Sequence, residues 1–170
     1  MVEDVHEILG QTIEKELPRK ELEKYIVDFL GSHSICTLAT SKNDKPRATT
    51  VEYHNKGMDL FMVGQMGVKI ENIRANPNVS VALCMAPNSW LNVKGMQITG
   101  KAKILTPSDP DYESALTVYN WQILSDELGF DVKEHPKYLR IIKIEPEKIE
   151  ILDVSFRANG YSPRQILTLR

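Results

Sequence analysis

Apolar residues recur at helical spacing mainly near the ends and crossings of this chain. Between residues 34 and 154 they alternate, or run together, as they do in strands. Val5, Ile8, Leu9 and Ile13 share one face of a predicted helix over 4–15, weakened by Gly10. Leu22, Tyr25, Ile26, Phe29 and Leu30 follow at i, i+3, i+4, i+7 and i+8 in a second helix. Pro18 suits its first turn, and Gly31 is expected to close it in a left-handed turn. The spacing then changes. Residues 35–40 are apolar on both faces. In 47–53, Arg47, Thr49, Val51 and Tyr53 fall on one side and Ala48, Thr50 and Glu52 on the other. Residues 58–63 form a third strand. Polar turns at 41–45 and 55–57 join the three, and connections so short predict an antiparallel meander.

Beyond a helical segment at 67–75, a strand is predicted at 79–85, then a loop carrying Trp90 and a long strand at 92–105. Gly95 and Gly100 predict bends or bulges within that long strand. Ser108-Asp-Pro-Asp111 starts a helix using Ala115, Leu116, Tyr119, Gln122 and Ile123. Gly129 and Pro136 bracket a loop. Two final strands, 138–144 and 149–154, flank Glu145-Pro-Glu147, and the tail 155–170 has little periodicity. We read a single domain over 1–170, with N-terminal helices at 4–31, a barrel at 34–154 and a C-terminal tail. About six to seven mostly antiparallel strands bury their edges most simply by curling into a barrel. Such a barrel fills its interior with side chains, so a sizeable ligand must bind outside it, at a subunit interface.

The stretch 61–73 carries the first chemical signal. An apolar strand breaks at Gly64, and the chain reopens as a helix at Gly67 with Lys69 in its first turn. Free N–H groups at a helix start, with a lysine beside them, suit an anion and above all a phosphate. The spacing Gly-x-x-Gly-x-Lys is not that of the common nucleotide loop. If the second and third strands pair, a turn near 55–56 makes partners sum to about 111 and sets Arg47 opposite Gly64. Arg47 and Lys69 then converge, a planar fork and a point charge. Thr49 and Thr50 lie beside them, where hydroxyls and edge backbone could bond the polar rim of a heteroaromatic ring. Simple strand propensity is the competing reading.

The remaining composition narrows the classes. Across 170 residues, 42% are apolar, 26% are charged and the net charge is −2. That gives no expectation of nucleic acid or an anionic membrane as partner. No apolar run reaches a membrane span, and the acidic N-terminus lacks an export signal, so a cytoplasmic location is expected. Cys36 and Cys84, both in apolar runs, read as buried free thiols, and the four histidines show no metal spacing. No nucleophilic or acid–base motif stands out and no catalytic residue is assigned, so any hard chemistry would belong to a cofactor. Trp90, Trp121 and Tyr119 are assigned to core or interface packing, with stacking on a planar cofactor as the alternative.

Four runs, in order, resemble the pyridoxamine 5′-phosphate oxidase-like family of FMN-binding split barrels. They are Lys45-Pro-Arg-Ala-Thr-Thr-Val, Met58-Asp-Leu-Phe-Met-Val, Gly67-Val-Lys-Ile-Glu-Asn-Ile-Arg-Ala-Asn-Pro-Asn-Val-Ser-Val and Ile98-Thr-Gly-Lys-Ala, and the match spans about 25–107. The resemblance implies a six-stranded antiparallel split barrel, a homodimer with FMN at the interface, and a flavin-dependent oxidoreductase acting on an unidentified small molecule or electron donor. It implies Arg47 and Lys69 as phosphate ligands, with Ala48, Thr49 and Thr50 along the flavin ring. Met62 and Val63 would lie beneath the ring, and Gln97 would be a contact in the partner's site. The family often has Arg-Lys where this chain has Val68-Lys69, one phosphate ligand fewer. Its oxidases carry a C-terminal Trp and Arg, and the tail here has no Trp, so the resemblance does not extend to the pyridoxamine phosphate reaction. Alternatives within the fold are a non-catalytic flavin carrier or sensor, a relative binding deazaflavin or haem (with His54 or His135 as axial ligand), and a structural dimer with an empty site.

Overall fold

The computed structural model describes residues 13–64, 67–85, 89–129 and 139–169. The predicted helix over 4–15 lies almost wholly outside these, and 13–18 are irregular. Helix α1 (Arg19–Gly31) buries Leu22, Ile26, Phe29 and Leu30. It does not end in a left-handed glycine. Ser32 caps it at φ −88°, ψ −2°, and the Ser32 hydroxyl donates to the Phe29 carbonyl at 2.8 Å. A side chain satisfies that orphan carbonyl, so no left-handed residue is required.

An eight-stranded antiparallel sheet follows. Strand β1 (Ile35–Lys42) pairs with β2 (Lys45–Glu52) through a two-residue turn at Asn43-Asp44, whose φ values of 50° and 59° match the right-handed twist of a hairpin. After Tyr53 the same segment continues as β3 (His54–Lys56), which pairs with β4 (Asp59–Gly64). Helix α2 (Val68–Ala75) leads to β5 (Asn78–Cys84), and β6 (Lys94–Leu105) comes next. Helices α3 (Tyr112–Leu116) and α4 (Trp121–Leu128) precede β7 (Arg140–Asp153), and β8 (Arg164–Thr168) ends the sheet. The strand order is β2-β1-β5-β6-β7-β4-β3, with β8 added on β7. Since β2 runs straight into β3, the two ends of that order belong to one strand. Counting β2 and β3 together closes a barrel of six strands, with β8 outside the circuit.

Several sequence expectations are corrected here. Residues 47–53 and 58–63 do not pair along their length: β2 pairs with β1, and only β3 reaches β4. The two predicted final strands are one, β7, which passes through Glu145-Pro146-Glu147 by a register shift opposite Thr99 and Gly100. A Cβ on Gly100 would sit 2.3 Å from the Glu145 carbonyl oxygen. A bulge beside a glycine accepts a proline because no ladder N–H is required there. The single helix expected from Ser108 breaks between Thr117 and Asn120 and restarts as α4, where the Asn120 side chain accepts from the Gln122 N–H at 3.2 Å. The tail is ordered as a 3-10 helix (Val154–Asn159) and β8, whose Gln165 and Leu167 point inward. Its period of two was hidden because one inward residue is polar. Cys36 is buried, which pushes its thiol up to about 12, whereas Cys84 is exposed. Trp90 is 88% exposed and packs in no core.

Leu38, Leu60, Met62, Val81, Ile98 and Ile149 fill the barrel, with α1 over one side and Ile70 and Ile73 of α2 entering the same core. A smaller core joins Phe61, Leu105 and Ile141 to Tyr112, Ala115 and Leu116 of α3.

Asp153 fastens the tail to the barrel. Its buried carboxylate accepts from the Tyr25 hydroxyl at 2.6 Å, the Ser155 N–H at 2.9 Å, the Ser155 hydroxyl at 2.6 Å and Lys94 Nζ at 3.0 Å. Burial pushes its pKa up, but the hydrogen bonds from Ser155, Tyr25 and Lys94 outweigh it and hold the carboxyl below the ordinary range. A carboxyl with a lowered folded pKa stabilises the fold above its unfolded value, about 3.9, and that contribution is lost as pH falls through the folded value. Urea midpoints should therefore fall below about pH 4. Asp153→Asn should cost about 3 kcal/mol at neutral pH and flatten that acid slope. An unchanged slope would show that other carboxyls govern acid stability.

Replacing Gly100 by alanine should cost upwards of about 2 kcal/mol, read as a lower urea midpoint. An unchanged midpoint would mean the bulge relaxes freely.

Candidate functional site

The barrel is open along one seam. From Lys45 to Glu52, β2 has a ladder to β1 only, and pairing toward β4 begins at His54. Along this free edge every second residue leaves its N–H and C=O unpaired across the gap. Arg47, Thr49 and Val51 stand opposite Thr40, Leu38 and Cys36 in register, on the face that turns toward the core. Thr49 lies in the mouth of the seam, and its buried Oγ1 has no hydrogen-bond partner.

One end of the seam is cationic. β4 ends at Gly64, and α2 begins after Gly67, whose φ of 149° only glycine adopts readily. No side chain caps α2, and a Cβ on Gly67 would meet nothing within 4 Å. The Ile70 and Glu71 N–H groups donate to the Gly67 carbonyl at 3.0 and 3.2 Å, whereas those of Val68 and Lys69 precede the first bonded turn and have no partner within the helix. Gly64 has a different role: a Cβ there would lie 3.1 Å from Ile70 Cδ1, so its absence lets the helix sit on the strand end. Two amides pin the helix to β1. Asn72 Nδ2 donates to Thr40 Oγ1 at 3.0 Å, both residues buried, and Asn76 Nδ2 donates to Ser41 Oγ at 3.0 Å. Arg47 is the direct cross-strand partner of Thr40, and Lys69 lies about 4.5 Å along the helix from Asn72.

Arg47 does not face Gly64, the partner that the hairpin arithmetic gives it; it pairs with Thr40 of β1, the strand to which Asn72 ties α2. That arithmetic fails because β3 and β4 pair with a different sum and β2 diverges from β4. The residue that does face Gly64 is Arg140, at the start of β7, and its buried Nε has no partner. Nothing local in the sequence marks Arg140, since only the β4–β7 register places it there.

The other end is aromatic and acidic. A cavity of about 440 Å³ lies among Val51, Glu52, His54, Val63, Tyr119, Trp121 and Glu127. The His54 and Tyr119 rings meet edge-on with centroids 4.6 Å apart, and Tyr119 and Trp121 are 5.6 Å apart. Trp121 is fixed by its Nε1 donating to the Leu116 carbonyl at 3.0 Å. The Tyr119 hydroxyl is buried and unpartnered, and its pKa is raised by burial and further by the charge of Glu52. Tyr119 and Trp121 thus line a cavity, and their assignment to plain packing is incomplete.

The other predicted residues divide. Val63 lines the cavity, but the Met62 side chain is wholly inside the barrel. Ala48 and Thr50 project from the outer face of β2, alongside Ala39 and Thr37, so only their backbone could serve the seam. Gln97 is exposed on the outer face of β6, three strands from β2 in the sheet order, roughly 14 Å away. The fold does not bring it to the seam within one chain. His54 lies against Tyr119 with Nε2 3.6 Å from Glu52, and His135 is outside the described residues. Among the described residues, no group of three or more His, Cys, Asp or Glu could hold a metal, and no helix is long and apolar enough to cross a membrane.

Residues 22–153 match the family model for pyridoxamine 5′-phosphate oxidase. General stress protein 26 of Bacillus subtilis is 27% identical over 139 residues, covering 79% of this chain and 91% of that protein. Among solved structures, an FAD-binding protein from Mesorhizobium loti superimposes with a TM-score of 0.60 at 21% identity, covering 78% of this chain and 92% of its own. A haem-binding protein from Mycobacterium smegmatis gives 0.63 at 16% identity, covering 89% and 59%. At these identities the two structures share the fold.

The amide pins give a direct test. Asn72→Ala leaves the buried Thr40 hydroxyl unpaired and should lower stability by about 1–3 kcal/mol, with amide exchange in α2 accelerated more than in β5. Equal protection in both proteins would mean that Ile70 and Ile73 hold the helix alone.

Proposed function

Because the chain belongs to the pyridoxamine 5′-phosphate oxidase family, we propose that the seam between β2 and β4 holds FMN, and that the protein is a flavin-dependent oxidoreductase. The observation that carries this reading is a pair of buried polar atoms without partners, Thr49 Oγ1 and Arg140 Nε, flanking a helix start left open by Gly67. Each such atom is costly unless a ligand completes it.

Arg47 offers a bidentate fork to the phosphate and Lys69 a point charge, with first-turn N–H groups between them. Arg140 supplies the cation that Val68 does not. It is the cross-strand partner of Gly64, at the strand end on which α2 sits. The Thr49 hydroxyl and the free β2 backbone orient the polar edge of the ring, while Val51 and Val63 keep water from its apolar side. Flavin in this position supplies reversible acceptance of two electrons from a substrate at its ring. Haem draws less support, because the His54 ring is already engaged with Tyr119 and Glu52.

A second copy completes the site in this reading. The outer sheet face presents a row of small or short polar side chains, Thr50, Thr37, Ala82 and Gln97, bordered by Ile35 at 55% and Ile166 at 54% exposure. A homodimer packed on that face buries both isoleucines and carries Gln97 toward the partner's seam.

The purified protein should be yellow and release FMN on denaturation, identified by mass. Arg47→Ala with Lys69→Ala should weaken FMN binding at least about a hundredfold, and Arg140→Met about tenfold. Full flavin retention in the double variant would overturn the site.

A further inference from the structure

Glu52, Tyr119, Trp121 and Glu127, at the acidic and aromatic end of the seam, have no part in holding the flavin in the reading above. We propose that this end is a binding site for a flat organic cation, a pyridinium or a protonated aromatic amine, held between the rings of Tyr119 and Trp121 and the carboxylates of Glu52 and Glu127.

Three features fix the ligand class. The cavity, about 440 Å³, suits a small molecule with one ring, and its walls are mainly aromatic and aliphatic. Among the described residues that line it, two are carboxylates, Glu52 at the end of β2 and Glu127 on α4. Among the described residues, no lysine or arginine lines it. An anionic ligand would face repulsion without a counter-charge, whereas a cation gains both carboxylates and the negative faces of Trp121 and Tyr119. The Tyr119 hydroxyl, buried without a partner, supplies one further donor or acceptor for a substituent on the ring. Trp121 is held by its bond to Leu116, so the aromatic wall exists before a ligand arrives.

Charge therefore reverses along the seam. Glu52 lies five residues from Arg47 on the same strand, roughly 16 Å away. As the substrate class of a flavin enzyme, the inference rests on the reading above. As a cation site, it stands on the cavity alone.

Three isosteric probes test it by calorimetry on the purified full chain: the N-methylnicotinamide cation, neutral m-toluamide and anionic m-toluate. The cation should bind about tenfold tighter than the amide, with the toluate weakest. Glu52→Gln with Glu127→Gln should bring the cation to the level of the neutral probe, and Trp121→Leu should weaken both. Toluate binding as tightly as the cation would overturn the proposal, and so would a preference that survives in the double variant. Should the double variant not fold, Glu127→Gln alone carries the test, with about a threefold loss of preference expected and no loss overturning it. Flavin content measured in the same samples separates the two readings. Colourless protein that still prefers the cation sinks the flavin site and leaves this one, and yellow protein without the preference does the reverse.

Discussion

One strand serving two partners sets everything else in this molecule. Residues 45–56 pair with β1 along one edge, from Lys45 to Glu52, and with β4 along the other only from His54 onward, because β2 and β4 diverge upstream of that point. The crossover point is Tyr53, whose N–H donates to Ser34 at 2.7 Å and whose buried hydroxyl donates to the Leu30 carbonyl at 2.8 Å. Those bonds hold the bend against the end of α1. Upstream of it, β2 stands away from β4 and leaves a polar edge exposed. A fully closed barrel would satisfy that edge, and it would also leave no groove for a planar ligand.

The same economy recurs in β7, which pairs with β4 over its first part and β8 over its second, always with β6 at its other edge. The bulge at Gly100 and Pro146 falls between the two partners, where extra twist lets one strand change neighbours. Asp153 then locks the far end, drawing α1, β6 and the tail onto one carboxylate. The interior is packed with aliphatic side chains throughout, so ligand chemistry is confined to the seam and the outer faces.

Much of this was legible in the sequence because it is written locally. The helix at 67–75, the first hairpin and the bulge glycine at 100 follow from residues within one or two turns of each other, whereas the count of six strands is what the family resemblance implies. What escaped depends on who pairs with whom. The hairpin register that sets Arg47 opposite Gly64 is one the fold does not use; Arg47 pairs instead with Thr40, which Asn72 of α2 holds. Arg140 and the His54–Tyr119–Trp121 cluster are assembled from segments far apart in the chain, so no spacing could announce them. The tail strand was missed because Gln165 occupies an inward position. Its amide is satisfied there by the Leu17 N–H and the Ser162 carbonyl, partners invisible to a hydropathy pattern.

The loss of a cation at Val68 looks, from the motif alone, like a weakened phosphate site. Position 68 is exposed at the rim of α2, where an arginine would be screened by solvent and would have to give up side-chain freedom to bind. Arg140 grows from the paired end of a central strand, with its Nε already withdrawn from water and Gly64 opposite it. In the proposed reading, a half-buried guanidinium so placed has less side-chain entropy left to lose than one at the helix rim, so it would compensate for the cation absent at position 68. The exchange also changes direction: the charge comes from beneath the strand end and not from the helix rim, which leaves the rim apolar beside the seam. Along β2 the charge reverses between Arg47 and Glu52, the latter beside the aromatic cavity, and that gives the groove a lengthwise polarity.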